Sequence, residues 1–71
     1  MHVLMLLHER ENDAPTVELY ADTPGGMDHA MFLVNDITSS GMWTEAHGHG
    51  LLGVWHNGAH MLTLTRVPVL E

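Results

Sequence analysis

A chain of 71 residues has room for one domain with one small core, and its lack of cysteine excludes disulfides and thiolate metal sites. Nine acidic residues against two arginines give a formal charge of −7, which disfavours binding to nucleic acid or to an anionic membrane surface. Hydrophobic residues make up 45% of the chain, a share that favours a folded domain over a disordered one.

The first two predicted elements are strands joined by a polar turn. Residues 2–9, HVLMLLHE, form a short apolar run without helical periodicity, which is typical of a strand buried on both faces. The segment RENDAP supplies turn residues. Residues 16–22, TVELYAD, alternate apolar and polar positions as a half-buried strand does, so the two runs predict a hairpin.

A switch to steps of three and four residues predicts one helix within residues 22–41. Asp22 or Thr23 can cap its start and Pro24 suits the first helical position, whereas the glycine pair that follows favours a start near Met27. Gly41 is a stop signal. The predicted sheet-facing stripe consists of Met27, Ala30, Met31, Val34 and Ile37.

A second hairpin is predicted in the last third of the chain. The dipeptide Asn57-Gly58 between apolar segments indicates a type I′ turn, which would pair Trp55 with His60. Strand alternation then places the larger apolar side chains on one face, and we assign that face to the core: Leu51, Trp55, Leu62 and Leu64.

The order of elements predicts a single α+β domain over residues 1–71, with a β-β-α-β-β arrangement. Four mostly antiparallel strands would form one sheet with one helix on one face. A single helix leaves the other face uncovered, and that face would carry Leu52, Val54, Met61 and one side of the first strand. Exposed apolar area of this kind indicates either a protein partner or self-association.

Seven histidines raise the question of a metal site, since four of them lie within residues 46–60. His47 and His49 are two residues apart on a strand, a spacing at which two side chains can share an ion if further ligands come from elsewhere. The fragment HGH lacks the spacing of established zinc motifs, and its glycines suit a solvated loop. We predict no cofactor and no bound metal, and keep His47 and His49 as the candidates should one bind.

The residue types that catalysis requires do not form a recognisable constellation, so we predict that the protein is not an enzyme. The acidic residues favour a protein partner with a basic surface. Five of them lie in the first turn and along the helix, and are the predicted partner-binding acids: Glu9, Glu11, Asp13, Asp28 and Asp36.

The predicted function is that of an acidic inhibitor or adaptor of a nucleic-acid-binding protein. Two alternatives stay open: a structural homodimer formed through the uncovered sheet face, and a histidine-based metal-binding module. No contact with nucleic acid or membrane is expected, and no targeting or membrane-spanning segment is visible, which predicts a cytoplasmic location.

In general layout the chain resembles small proteins encoded by bacteriophages and mobile elements. The resemblance lies in the opening MHVLMLLHERE with its acidic turn, in TVELYADTPGG leading into a helix, and in the closing strand MLTLTRVPVLE. Anti-defence inhibitors, anti-CRISPR proteins among them, share this short, acidic, single-domain character. The resemblance implies a binding protein without catalysis, and contains no motif that assigns a role to a particular residue.

Overall fold

Five strands and one helix make up the described part of the chain, residues 1–48 and 50–69 of a computed structural model. The sheet has the order β2-β1-β5-β4-β3, and all neighbouring strands are antiparallel. The elements are β1 (His2–Arg10), β2 (Asp13–Ala21), α1 (Pro24–Thr38), β3 (Thr44–Ala46), β4 (Gly53–Asn57) and β5 (His60–Pro68).

The α+β class is confirmed, whereas the predicted count of four strands is wrong by one. The additional strand, β3, has three residues and pairs with β4 at the edge of the sheet. Three residues are too few to show a periodic pattern, and β3 is held in place by its pairing with β4.

Strand β1 is central, since it pairs with β2 on one side and with β5 on the other. Leu4 and Leu6 are fully buried, whereas Val3, Met5 and Leu7 are only half-buried. The prediction of a strand buried on both faces is therefore wrong. Alternation directs the even positions to the helix and the odd positions to the opposite side of the sheet.

The second hairpin is present, but its turn lies one residue further along than predicted. Asn57 pairs with His60 and Trp55 with Leu62, so Gly58 and Ala59 form the turn. Gly58 has a φ of 52° and is the only one of the two with positive φ, the pattern of a type II′ turn rather than type I′. The register moves by two residues, so Trp55, Leu62 and Leu64 keep their predicted place on the core side. The assignment of Leu51 to the core is wrong, because Leu51 lies before β4, outside the ladder, and is 37% exposed.

Helix α1 begins at Pro24, before the predicted alternative start at Met27. The Thr23 hydroxyl accepts a hydrogen bond from the Gly26 amide at 3.0 Å, which satisfies one of the free amides of the first turn. At the other end the Thr38 hydroxyl donates to the Val34 carbonyl at 2.8 Å. Gly41, with a φ of 85°, lies in the loop that follows.

The core lies between the helix and one side of the sheet. Ala30 and Val34 of the predicted stripe are buried, and the other members of the stripe pack around them with Leu33. Trp43 and Trp55 extend the cluster beyond the helix. The sheet contributes four fully buried leucines to this core: Leu4, Leu6, Leu62 and Leu64.

The side of the sheet that faces away from the helix is called the open face below. Its apolar side chains form continuous rows, because Met5 is paired with Leu19 and Leu7 with Val17. The exposed fraction is 51% at Val17 and 63% at Leu19. The apolar positions of β2 therefore point away from the core, and the expected uncovered face is real. Its members on the well-paired strands are Val3, Met5, Leu7, Glu9, Val17, Leu19, Ala21, Val54, His56, Met61, Thr63, Thr65 and Val67.

Candidate functional site

The turns of the two hairpins lie side by side at one end of the sheet, because β1 and β5 are neighbours there. An open cleft of about 710 Å³ lies between them. Glu9 and Glu11 approach it from the first hairpin, and Met61 approaches it from the second. This end is called the acidic end below. Its complete lining is Glu9, Arg10, Glu11, His56, Gly58, Ala59, His60 and Met61.

The carboxylates of the acidic end are exposed, and Arg10, which lies between them in the chain, lines the same cleft. Arg10 donates from Nη1 to the Thr16 hydroxyl at 3.4 Å. Glu9 is opposite Met61 in the ladder, on the open face. Within residues 1–48 and 50–69 the one ion pair joins Arg66 to Asp22 at 2.8 Å. Neither Glu9 nor Glu11 forms an ion pair in these ranges, so both carboxylates can contact an external cation, although the charge of Arg10 at the same cleft offsets part of their attraction.

The other predicted acids lie apart from this pair. Asp13 is exposed and faces Arg10 in the ladder, beyond a bulge in the first hairpin. Asp28 and Asp36 lie on the exposed side of α1, four residues before and after Phe32, which is 75% exposed. Eight residues of helix separate the two carboxylates by about 12 Å along its axis. Neither of these helix residues lines the cleft.

Two of the three predicted apolar contact residues, Val54 and Met61, lie where the uncovered face was expected, whereas no strand register places Leu52 there. Val54 pairs with Thr63 and Met61 with Glu9, which places both on the open face. Leu52 precedes β4, and its amide donates to the Leu64 carbonyl at 2.9 Å. Met61 is shared by the open face and the acidic end, so the two surfaces meet at this side chain.

A cluster of three rings lies on the helix side of the sheet, beside the end of α1. Ring centroids are 5.7 Å apart for His8 and His60, 6.5 Å for His8 and Trp43, and 6.1 Å for Trp43 and His60. The Trp43 indole donates to the Ser40 carbonyl at 3.0 Å, which fixes the loop after the helix over the two histidines. His8 Nε2 and His60 Nδ1 are buried without a hydrogen-bond partner.

Burial lowers the pKa of His8 below its ordinary value, and the nearby Arg10 and His60 lower it further. The unfolded chain therefore binds a proton at His8 more readily than the folded chain does. The stability contributed by the neutral ring is present above about pH 6.5 and is lost as the pH falls through the lowered pKa of the folded state.

Replacing His8 by glutamine is expected to reduce the pH dependence of stability. The difference in free energy of unfolding between the original protein and His8→Gln should shrink as the pH falls from 7.5 to 5, since the original protein alone has the protonation cost at this position. Urea denaturation across this range measures it, with His29→Gln at an exposed helix position as the control. A constant difference at every pH would contradict the role given to His8.

Within the described residues, the two histidines proposed as metal ligands do not form part of a metal site. His47 is exposed just after β3, and His49 lies outside the described residues. In the described ranges, no group of three or more histidine and acidic side chains is placed to hold a metal ion. The close pair His8 and His60 stands beside Arg10, whose charge opposes a bound cation.

The ring cluster was missed by the sequence analysis. Alternation along β1 could have placed His8 on the helix side of the sheet, because His8 lies on the same side as Leu4 and Leu6. The contact between His8 and His60 depends on the pairing of β1 with β5, which are about fifty residues apart in the chain. No local pattern reports such a pairing.

No family model matches the chain, and neither the curated proteins nor the solved structures contain a match to it. Across residues 1–48 and 50–69, α1 is too short to be a membrane-spanning helix.

Proposed function

We propose that the protein is a non-enzymatic binding module that engages a basic protein surface through its acidic end. One observation carries the proposal: Glu9 and Glu11 line the same open cleft as Met61. A partner's arginine or lysine can reach the carboxylates with its charged group while its aliphatic stem packs on the methionine.

The charge distribution supports the same kind of partner. The formal charge is −7, and both arginines already contact groups within the chain, Arg10 with Thr16 and Arg66 with Asp22. The field around the domain therefore attracts a basic surface over distances comparable with the Debye length, about 8 Å at physiological salt. Such attraction raises the association rate and discriminates against acidic partners.

Proteins that bind nucleic acid expose basic surfaces of this kind. An acidic domain that occupies such a surface competes with the nucleic acid, which makes this protein an inhibitor or adaptor of a nucleic-acid-binding complex in the cytoplasm. This is also the activity that the resemblance to anti-defence proteins of bacteriophages implies.

The test compares two variants with the same change in net charge. Immobilised protein is exposed to bacterial lysate at low and moderate salt, alongside Glu9→Gln/Glu11→Gln and Asp28→Asn/Asp36→Asn. We expect the original protein to retain a nucleic-acid-binding protein that moderate salt releases. With that protein purified, Kd should rise at least about tenfold for the glutamate pair, roughly 1.4 kcal/mol, and little for the aspartate pair.

If both variants raise the Kd equally, the net charge of the protein determines binding and the cleft has no special role. Selective loss in the aspartate pair would move the contact to the outer side of the helix. Capture that neither variant affects, or that moderate salt does not release, would contradict an acid-driven contact altogether.

A further inference from the structure

We infer that the open face packs against the open face of a second copy of the chain. This inference goes beyond the proposed function and does not depend on it. The two surfaces share Glu9 and Met61 at one end of the sheet, whereas the centre of the open face lies outside the cleft. The face is continuous across β2, β1, β5 and β4, and its centre is formed by Met5, Leu7 and Thr63.

The size of the face suits a weak, reversible interface between two copies. Three paired strands of nine residues each, with the shorter β4 beside them, cover roughly 500 Å² in projection at the usual strand rise and spacing. Two such faces would bury roughly 1,000 Å² together, which is the threshold for a biological interface and less than the roughly 1,200–2,000 Å² of a stable one. An area of this size matches the largest apolar patch of a typical monomer, which is often functional.

The charge pattern favours a second copy as the occupant. The formal charge of −7 is carried mainly by groups away from this face, such as Glu18, Asp28 and Asp36. Among the open-face positions fixed by the strand registers, Glu9 is the one acid, and it lies at the end of the face. The central rows carry no charge for a basic partner to complement.

An antiparallel two-fold dimer can bury the open faces and leave the acidic ends exposed. It brings the apolar rows of the two copies together and places the two Glu9 side chains at opposite ends of the dimer, far from each other. Both acidic ends then point outward. Each dimer would present two clefts for basic partners, one from each copy.

Sedimentation equilibrium of the purified protein at physiological salt tests the dimer, with two matched substitutions. Leu19→Asp puts a charge on the open face, and Phe32→Asp puts the same charge on the exposed side of α1. We expect a monomer–dimer equilibrium for the original protein, a Kd at least tenfold higher for Leu19→Asp, and little change for Phe32→Asp. Val17→Asp, also on the open face, should repeat the effect of Leu19→Asp.

The dependence on salt distinguishes this contact from the contact at the acidic end. Screening weakens repulsion between two acidic copies, so dimerisation should strengthen as salt rises, whereas binding of a basic partner should weaken. A protein that stays monomeric at every concentration and salt would overturn the inference. Loss of the dimer in Phe32→Asp alone would overturn it too, since the helix would then form the interface.

Discussion

Replacing Gly26 by alanine is expected to lower the free energy of unfolding by about 3 kcal/mol or more. A methyl group at this position would collide with the carbonyl oxygen of Ala21 and approach its carbonyl carbon to 2.8 Å. Both atoms are backbone, so the first turn of α1 would have to move away from the end of β2. For a domain of this size the melting temperature should fall by roughly 12 °C or more.

The preceding glycine is the matched control. A methyl group on Gly25 would meet nothing nearer than the Thr23 hydroxyl at 4.0 Å. Alanine there should be neutral or should stabilise the protein by up to about 1 kcal/mol, because it favours the helix more than glycine does. Thermal and urea denaturation of both variants measure the difference. Equal melting temperatures for the two would contradict the close approach of the helix to β2.

Replacing Leu64 by alanine is expected to cost about 2–5 kcal/mol of stability. Leu64 is 1% exposed, and it packs in the core with Leu6, its neighbour in the ladder, and with Val34 of the helix. The whole domain is expected to be stable by only about 4–10 kcal/mol, so this variant should be partly unfolded at moderate temperature.

The same substitution at the exposed Leu19 serves as the control for Leu64→Ala. Replacing Leu19 by alanine should cost less than about 1 kcal/mol at low protein concentration, where association contributes little. Urea denaturation followed by circular dichroism gives both values. A small loss at Leu64 together with a large loss at Leu19 would mean that the protected side of the sheet is the open face.

Helix α1 could be predicted because its signals are local. Thr23 and Pro24 mark its start, and the spacing of Ala30 and Val34 marks its buried side. The glycine pair misled the sequence analysis, since low helix propensity favoured a start near Met27. The structure shows that Gly26 is required by its contact with Ala21, which no local pattern reveals.

The sheet was predicted less completely, because its order depends on pairings between distant residues. The turn at Asn57-Gly58 was placed one residue early, since Asn57 pairs with His60 and leaves Gly58 and Ala59 to form the turn. The faces within β4 and β5 were nevertheless predicted correctly, because a shift of two residues preserves alternation. Leu51 was wrongly assigned to the core, since it lies before β4, where the strand pattern no longer applies.

In the candidate site too, features set by alternation within a strand could be predicted, and features set by pairing of distant strands could not. The placement of Val54 and Met61 on the open face followed from alternation alone. That Glu9 and Glu11 share a cleft with Met61 did not, because it requires β1 beside β5. The ring cluster of His8, Trp43 and His60 needed the same pairing and was missed for the same reason.

The methionine methyl groups offer the most direct measurement of whether the open face is the contact between copies. Met5 lies on that face, whereas Met31 packs against the core on the helix side. In a dilution series followed by methyl NMR, the Met5 signal should shift with concentration and the Met31 signal should stay in place. A Met5 signal that is the same at every concentration, or a Met31 signal that moves as far, would contradict a contact between copies through the open face.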